Sequence, residues 1–314
     1  MRSTADKMRA ALDSKAKIRD SLSAIGSDIS EDTPLSEYGD KVKDMSLLSI
    51  GYDNNDWIAD ALAYAKKIQD EWDASVTKRY STYQNDNKLI FLPVVDMSNI
   101  TYTEYMFRGC GKLILVPHMD MRNTTAIHSM FYQCYDLLRA SITLSGDVTI
   151  WYAFYGCSRL TEVDLEGDFY PTNMQGTFQG CSALTAIPQL DTSKVTNMLY
   201  FIPYCYSLTR VEGLDFSSVT TLTNWAQYTE HVAYMRIKNL GKSSLTTYPI
   251  SWVSAWGADS EENRQTLVDS LLTDSYDRAA NGMATATIQL HANAKARLTD
   301  EEIAAITAKG YTIS

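Results

Sequence analysis

The chain lacks an excess of positive charge and lacks long apolar runs. Among its 314 residues, 28 Lys and Arg stand against 38 Asp and Glu, which gives a formal net charge of −10. A nucleic-acid partner would require a basic face that neutralises phosphates, so the composition argues against this class of function. No apolar run approaches the ~20 residues that span a bilayer, and we therefore expect no membrane insertion.

The sequence also lacks the signatures of common catalytic and export segments. There is no Gly-x-Gly-x-x-Gly, no P-loop and no Gly-x-Ser-x-Gly. The four histidines form neither a His-x-x-x-His nor a Glu-x-x-His pair, so metal ligation has little support. Met1–Lys7 contains no apolar segment of the Sec type. We expect no catalytic site, no metal, no cofactor and no Sec-type export.

What the chain does have is a core-forming composition and a regular cysteine spacing. Apolar residues make up 45% of the sequence and charged residues 21%, which is typical of a folded protein. Successive cysteines are separated by 24, 23, 24 and 24 residues, a pattern of neither a disulfide framework nor a zinc site. They occupy one position of a repeat. The five are Cys110, Cys134, Cys157, Cys181 and Cys205.

Other residue types recur in the same register. A phenylalanine precedes four of the cysteines by three residues: Phe107, Phe131, Phe154 and Phe178. A leucine follows each cysteine by three residues, and a mostly β-branched position follows three residues later, so the register runs from about Leu89 to Leu240. An Asp-containing box precedes the aromatic residue in several repeats, at Asp96, Asp120, Asp191 and Asp215.

A 24-residue unit is too small to bury its own apolar side, but stacked units share one continuous core. Each Leu-x-x-Val/Ile segment is predicted to form one strand of a parallel sheet, with successive strands ~4.8 Å apart. The Phe and Cys columns then point inward and stack on their equivalents. The sequence therefore predicts an α/β solenoid with a period of about 24 residues.

Two columns allow a chemical as well as a structural interpretation. The cysteines are predicted to be small buried residues, because all five occupy one structural position of the repeat. The alternative is that they are reactive or metal-binding thiols. The aspartates are predicted to cap turns, since an Asp followed by Ser or Thr favours an Asx turn. The alternative, a calcium ladder, lacks EF-hand-like ligand spacing.

The segment Phe178–Met198 resembles the BspA-type leucine-rich repeats. It reads Phe-x-Gly-Cys-Ser-x-Leu-Thr-x-Ile-Pro, followed by Asp-Thr-Ser-Lys-Val-Thr-Asn-Met. These repeats occur in bacterial surface proteins and in virion proteins of tailed phages. The resemblance covers roughly Leu89–Leu240. It implies a curved right-handed solenoid with its parallel sheet on one face, and a role in adhesion or protein–protein contact rather than in catalysis.

The N-terminal region indicates whether the chain is more similar to the bacterial surface proteins or to the phage virion proteins. Alternating three- and four-residue steps between Met8 and Ile25 predict a heptad-like helix, which either docks on a neighbouring surface or forms a short oligomerising coil. The stretch Lys15–Met45 resembles N-terminal segments of phage tail and baseplate-associated proteins, which implies attachment to the particle. The predicted attachment and oligomerisation residues are Met8, Ala11, Lys15, Ile18, Leu22 and Ile25.

Both ends of a solenoid need caps. Helical spacing of apolar residues over Asp56–Ser75 predicts an N-terminal cap helix, in which Trp57 and Trp72 seal the first repeat rather than form an aromatic sugar platform. At the other end we predict a helix over Ser260–Leu272, a strand over Thr285–Leu290, a capping-box helix from Thr299 to Gly310 and a last strand, Tyr311–Ile313. This tail resembles the terminal module of many phage-borne copies of the repeat.

Two surfaces of the repeats are candidates for binding. Side chains that flank the buried strand position form a mixed-charge sheet face that suits protein recognition, although a solvated face explains them equally well. The predicted sheet-face residues are Arg139, Glu162, Asp164, Arg210, Glu212, Tyr234 and Arg236. Tyr132, Tyr155 and Tyr206 flank the cysteine turns and form either an aromatic rim for glycan or protein contact or a packing surface against a neighbouring subunit.

Together these features predict four regions and one function. The regions are an attachment and oligomerisation segment (1–50), a helical N-terminal cap (51–86), a leucine-rich-repeat solenoid (87–245) and an α/β C-terminal capping module (246–314). The expected function is that of a structural virion protein of a tailed bacteriophage, in its tail, baseplate or fibre. Such a protein is assembled in the host cytoplasm in several copies. It contacts other virion proteins through its N-terminal segment and a host-surface protein or glycan through its repeats. A BspA-like bacterial surface adhesin is the alternative, and a glycan-active enzyme is a more distant one.

Overall fold

A computed structural model of the protein describes residues 56–314, and the chain there begins with helix α1, Asp56–Asp70. Ala61, Ala65 and Ile68 are buried, because their spacing of four and three residues places them on one face of the helix. The helix ends five residues before the predicted Ser75. Asp73 accepts hydrogen bonds from the backbone N–H and the hydroxyl of Ser75, which forms a turn instead of a further helical turn.

Trp72 is partly buried and packs against the core of the repeats. Its indole N–H donates to the Asp96 carbonyl at 3.1 Å, and the Arg79 guanidinium lies 3.7 Å from the centre of its ring. The side chain of Trp57 lies outside the described residues. From residue 56 onward, none of the helices is both long enough and apolar enough to cross a membrane.

Short parallel strands form the first edge of the repeats. Strand β1 (Met119–Asp120) pairs with β2 (Arg139–Thr143), which pairs with β4 (Glu162–Glu166). Further along, β6 (Arg210–Asp215) pairs with β7 (Tyr234–Lys238). Elsewhere on this edge the pairing is reduced to single parallel bridges, at Phe91, Leu115 and Ala186.

The strands do not begin where the sequence predicts them. Each column leucine is buried, but it ends a turn instead of starting a strand, because its N–H donates to the carbonyl of the preceding cysteine. The bond measures 3.1 Å from Leu137 to Cys134 and from Leu160 to Cys157. These N–H groups are therefore unavailable to a neighbouring strand, and the strands start two residues later, as at Arg139 and Glu162.

A second parallel edge lies on the side of the Asp-containing boxes. Where the box is missing, between Ile142 and Ala153, the chain forms strand β3 (Gly146–Val148) instead, which pairs with β5 (Phe169–Pro171). Asn197 continues this edge through single bridges to Asn173 and Thr221. The divergent repeat thus replaces a capped turn with a short strand.

The phenylalanine column forms one continuous file through the core. Neighbouring rings of Phe107, Phe131, Phe154 and Phe178 lie 5.4, 5.5 and 5.6 Å apart and are almost parallel, and all four are fully buried. A further ring, Phe201, meets the end of the file edge-on at 5.7 Å. The prediction that these rings stack in a file is confirmed.

The cysteines form a second buried column beside the rings. All five are free and buried, as predicted. Each thiol also donates a hydrogen bond to a carbonyl of the previous repeat, as from Cys134 to Phe107 and from Cys157 to Phe131, at 3.1 and 3.0 Å. The residue therefore acts as a small apolar filler and as a donor that links two repeats.

Backbone pairing between repeats extends beyond the predicted limits of 87 and 245. At the start, Lys78 bridges to Tyr102, and the Tyr83 N–H donates to the Met106 carbonyl at 2.9 Å. At the end, the Ala255 N–H donates to the Glu230 carbonyl at 3.0 Å. Residues assigned to the caps on sequence therefore take part in repeat pairing.

The C-terminal module contains the elements predicted for it. Helix α2 (Glu261–Val268) is capped by Ser260 and continues as a π-helical segment, Asp269–Thr273. Helix α4 (Asp300–Ala308) starts with the Thr299–Glu302 capping box. The rest of the module consists of β8 (Thr247–Ile250), β9 (Ala286–Leu290), the short helix α3 (Ala292–Lys295) and β10 (Tyr311–Ile313), with the three strands parallel in the order β10-β9-β8.

This module packs on the last repeat through specific polar contacts. The Ile237 N–H of β7 donates to Ser270 Oγ at 2.9 Å, so the π-helical segment covers the strand edge. The Tyr311 hydroxyl donates to the Leu240 carbonyl at 2.7 Å. Arg278 is 2% exposed and donates to the carbonyls of Gly241 and Ser243. These contacts give a buried guanidinium the partners that it needs.

Replacing Phe154 by alanine tests the file. We expect the free energy of unfolding to fall by about 3–5 kcal/mol, because the change deletes a buried ring and two ring contacts. Denaturant titration followed by circular dichroism measures the loss. Tyr206→Ala, which removes a side chain that is 55% exposed, is the control and should change the free energy by less than about 0.5 kcal/mol. Equal losses in the two variants would contradict the stacked arrangement.

Thiol reactivity tests the cysteine column. Burial raises the pKa of Cys110 and of Cys205 to about 12, and thiolate is the reactive form. We expect the folded protein to react very slowly with an aromatic disulfide reagent at mildly alkaline pH, and all five thiols to react after unfolding. A Thr185→Cys variant adds one thiol at an exposed position and should react at once. Rapid labelling of the unmodified folded chain would refute the buried column.

Candidate binding site on the turn edge of the repeats

The predicted sheet face is less open to a partner than its charges indicate. Arg139 and Glu162 are register partners on β2 and β4, and their side chains form an ion pair. Asp164 lies opposite Ser141 and is exposed. The first part of this face is therefore largely neutralised by its own residues, and Asp164 remains open to solvent.

The second part of the sheet face is also occupied from within the chain. Arg210 forms an ion pair with Glu212, and its guanidinium lies 3.5 Å from the centre of the Tyr234 ring. Arg236 donates to Asp274 of the C-terminal module at 2.7 Å, and this hydrogen bond raises the pKa of the arginine. Arg236 thus binds the module, a contact that the sequence did not predict.

The aspartate column forms turns, as predicted. In each case the carboxylate accepts a hydrogen bond from the N–H two residues later, at 3.0 Å for Asp96 and Asp191 and at 2.8 Å for Asp215. Across residues 56–314, no three His, Cys, Asp or Glu side chains come together in a group that could hold a metal ion. The predicted attachment residues, between Met8 and Ile25, lie outside the described part of the chain.

The cysteine turns build a third surface, which we call the turn edge. Each turn contains two residues with positive φ, one located five positions before the cysteine slot and one located directly before it. The first of these columns consists of Ser81, Tyr105, Ser129, Tyr152, Gly176, Tyr200 and Asn224. Positive φ is costly for tyrosine. Hydrogen bonds between repeats hold it in place, such as the bond of 2.8 Å from the Tyr152 N–H to the Gln175 carbonyl.

Large and small residues alternate along this column. Tyr105, Tyr152 and Tyr200 each precede a smaller residue in the next repeat. The reason is clear at Gly176, where an added Cβ would lie 2.2 Å from Cε1 of Tyr152. The ring of Tyr152 therefore occupies the space that a Cβ at position 176 would need, so glycine fits at this position without a collision.

Further aromatic residues surround this column. The His128 ring stacks on Trp151 at 4.3 Å and meets Tyr105 edge-on at 4.7 Å. Tyr132 and Tyr155 stack in parallel at 4.4 Å, at an interplanar angle of 5°. The turn edge thus carries a nearly continuous aromatic surface across several repeats.

A concave site of about 490 Å³ lies in the middle of the turn edge, and we call it the aromatic depression. This volume falls within the range of small-molecule binding sites, ~300–1,000 Å³. Its lining combines ring faces with hydroxyl, amide and guanidinium groups. The lining residues are Tyr105, Arg108, His128, Ser129, Tyr132, Trp151, Tyr152, Tyr155, Gln179 and Tyr200.

The protonation states follow from the local environment. Burial lowers the pKa of His128, although Glu104 opposes this effect, so the ring is neutral at pH 7. His128 Nδ1 lies 3.2 Å from Glu104 Oε1 without the geometry of a hydrogen bond. Burial raises the pKa of Tyr155, so its hydroxyl keeps its proton and can donate at neutral pH. Arg108 carries the positive charge of the depression.

The sequence identified this site only in part. Of the three tyrosines predicted to form a rim, Tyr132 and Tyr155 lie together in the depression, whereas Tyr206 lies apart from it and contacts Tyr204. Tyr152, Trp151 and Arg108 were missed. They lie five, six and two residues before a cysteine, so an alignment of the repeats places them on the turn edge, with Arg108 in the same column as Tyr132 and Tyr155. That their side chains line one depression follows only from the coordinates.

A family profile matches part of the chain. The profile of a family described as "Mycoplasma protein of unknown function, DUF285" matches residues 171–239. The matched segment includes the repeats around Cys181 and Cys205, and the match is compatible with a BspA-type repeat protein. The chain has no significant match among curated proteins or among solved structures.

Two glycine substitutions test the packing of the turn edge. Gly176 and Gly146 have φ values of +60° and +73°, so alanine has a similar backbone cost at both positions, ~1–2 kcal/mol. Only at Gly176 does the new Cβ collide with another group, because nothing lies within 4 Å of the position at Gly146. We expect Gly176→Ala to lower the melting temperature more than Gly146→Ala and to change the near-UV circular dichroism of Tyr152. Identical behaviour of the two variants would contradict the packing of Tyr152.

Proposed function

We propose that this chain is a BspA-type leucine-rich-repeat solenoid that acts by binding, as a structural virion protein of a tailed bacteriophage. In this role it is not an enzyme. The repeat domain presents a recognition surface, and other parts of the chain join it to the particle. Its place there is the tail, the baseplate or a fibre.

The observation that carries the binding role is the aromatic depression on the turn edge. Stacked rings and backbone hydrogen bonds between repeats hold its side chains in place without a ligand. Tyr and Trp provide large contact areas at a low cost in conformational entropy. A rigid concave surface of this kind supports recognition of an external partner.

The virion assignment rests on two further features. The stretch Lys15–Met45 resembles N-terminal segments of phage tail and baseplate-associated proteins, and we propose that it attaches the chain to other virion proteins in several copies. The C-terminal elements α2, β9, α4 and β10 occur in the helix–strand–helix–strand order of the terminal module that they resemble in phage-borne copies of the repeat, with the short helix α3 inserted before α4. Assembly in the host cytoplasm would follow from this role.

Incorporation into virions tests the proposal. We expect mass spectrometry of gradient-purified particles to detect the chain, and its native gene to lie beside capsid and portal genes. When the chromosomal copy is disrupted, the full-length chain supplied in trans should enter particles, whereas a chain without residues 1–45 should not.

A matched chain carrying Tyr206→Ala controls for expression and should enter particles normally. The truncated chain must still give the circular dichroism spectrum of folded repeats, so that loss of incorporation reports on attachment. Particles that contain the truncated chain would overturn the attachment role. A native gene with an upstream export signal and no virion genes nearby would favour the surface-adhesin alternative.

A further inference from the structure

The aromatic depression combines two kinds of group that small polar ligands require. Trp151 and Tyr155 are half-buried, so each ring leaves part of its surface accessible. Gln179 and Arg108 add an amide and a guanidinium to the same lining. A ligand that fits this lining must itself alternate apolar faces with hydrogen-bonding groups.

Tyr152 is held in place by a chain of side-chain hydrogen bonds. Gln175 Nε2 donates to the Tyr152 hydroxyl oxygen at 2.6 Å, and Asn197 Nδ2 donates to Gln175 Oε1 at 3.1 Å. The Tyr152 hydroxyl accepts this bond, so its own proton is available for donation to another group. Because the ring is already fixed, a ligand would bind without ordering it.

Arg108 is positioned for an anionic group. Its guanidinium lies 4.7 Å from the ring centre of Tyr132 and 5.2 Å from that of Tyr105, so it contacts two aromatic side chains. Among residues 56–314 it has no carboxylate within ion-pair distance, in contrast to Arg139 and Arg210. A planar guanidinium with unused donors matches a carboxylate.

The spacing of the tyrosine column indicates a repetitive ligand. Tyr105, Tyr152 and Tyr200 occur in every second repeat, so they are about 10 Å apart along the stack, twice the spacing of neighbouring strands. Evenly spaced platforms suit a polymer of similar units.

From these observations we infer that the aromatic depression binds an acidic saccharide chain. The C–H face of a pyranose ring packs on Trp151 and Tyr155, sugar hydroxyls bond to Gln179 and to the Tyr152 hydroxyl, and a sugar carboxylate binds Arg108. The inference deepens the proposed binding role by naming its ligand class. It depends on that role alone and not on the virion assignment.

The first test uses the purified full-length protein on an array of immobilised oligosaccharides. The array holds hexuronic-acid-containing oligosaccharides, the same oligosaccharides with each carboxyl reduced to a primary alcohol, and proline-rich peptides. We expect binding to the acidic members, with affinity about tenfold or more lower for their reduced counterparts, as the loss of a charge-assisted hydrogen bond implies. Binding to the peptides alone, equal binding to acidic and reduced sugars, or no binding would overturn the inference.

Four variants, measured by calorimetry with the tightest-binding acidic oligosaccharide, assign the contacts. Arg108→Gln should lower the affinity for the acidic oligosaccharide about tenfold and leave the affinity for its carboxyl-reduced counterpart unchanged. Trp151→Ala should lower the affinities for the acidic and the reduced oligosaccharide alike, each by about tenfold or more. Gly176→Ala should weaken both by displacing Tyr152, whereas Gly146→Ala, which has a similar backbone cost, should not.

Trp252→Ala is the matched control for Trp151→Ala. Trp252 packs on Tyr228 at 4.8 Å and lies outside the depression. All variants must keep the wild-type far-UV circular dichroism spectrum. An equal loss of affinity in the two tryptophan variants would overturn the assignment of the site. Virion incorporation without saccharide binding would refute this inference and leave the proposed virion role intact. Saccharide binding without virion incorporation would support this inference and refute the virion role.

Discussion

Every repeat of this chain depends on its neighbour for backbone hydrogen bonds that it cannot make alone. The N–H groups of Phe107, Phe131 and Phe154 donate to carbonyls of the following repeat, at 3.0, 2.9 and 3.0 Å. A buried donor without a partner would cost about 1–3 kcal/mol, so these bonds define the register of the stack. Once the backbone is in register, equivalent side chains must lie above one another. The ring file, the thiol column and the turn edge all result from this one constraint.

The same register distributes different chemistry to different surfaces. On the strand edge, charged side chains come into contact with their neighbours and neutralise one another, as in the pair of Arg139 and Glu162. On the turn edge, aromatic rings stack and leave Arg108 between two of them. Charge in the sequence was therefore a poor guide to the surface that is open to a partner. The turn edge carries fewer charges than the sheet face, and it contains the concave site.

Periodicity explains both what the sequence could predict and what it could not. The buried Phe and Cys columns and the Asx turns at Asp96 and Asp191 depend on local spacing, which the sequence displays directly. The strands start late because each column leucine donates its N–H to the carbonyl of the cysteine three residues earlier. The residue pattern alone does not show this hydrogen bond. The depression depends on contacts between side chains of several repeats, such as Trp151 with His128, and these require coordinates.

The alternation of tyrosine with small residues constrains how such a chain can change length in evolution. Losing the repeat of Gly176 would put Tyr200 in place of the glycine that the Tyr152 ring needs, and losing the repeat of Ser129 would place Tyr105 and Tyr152 in neighbouring repeats. Gaining or losing two repeats at once would preserve the order and add or remove one platform. Descendants of this chain should therefore differ by even numbers of units across the turn edge, and duplication in pairs would lengthen the surface without rebuilding it.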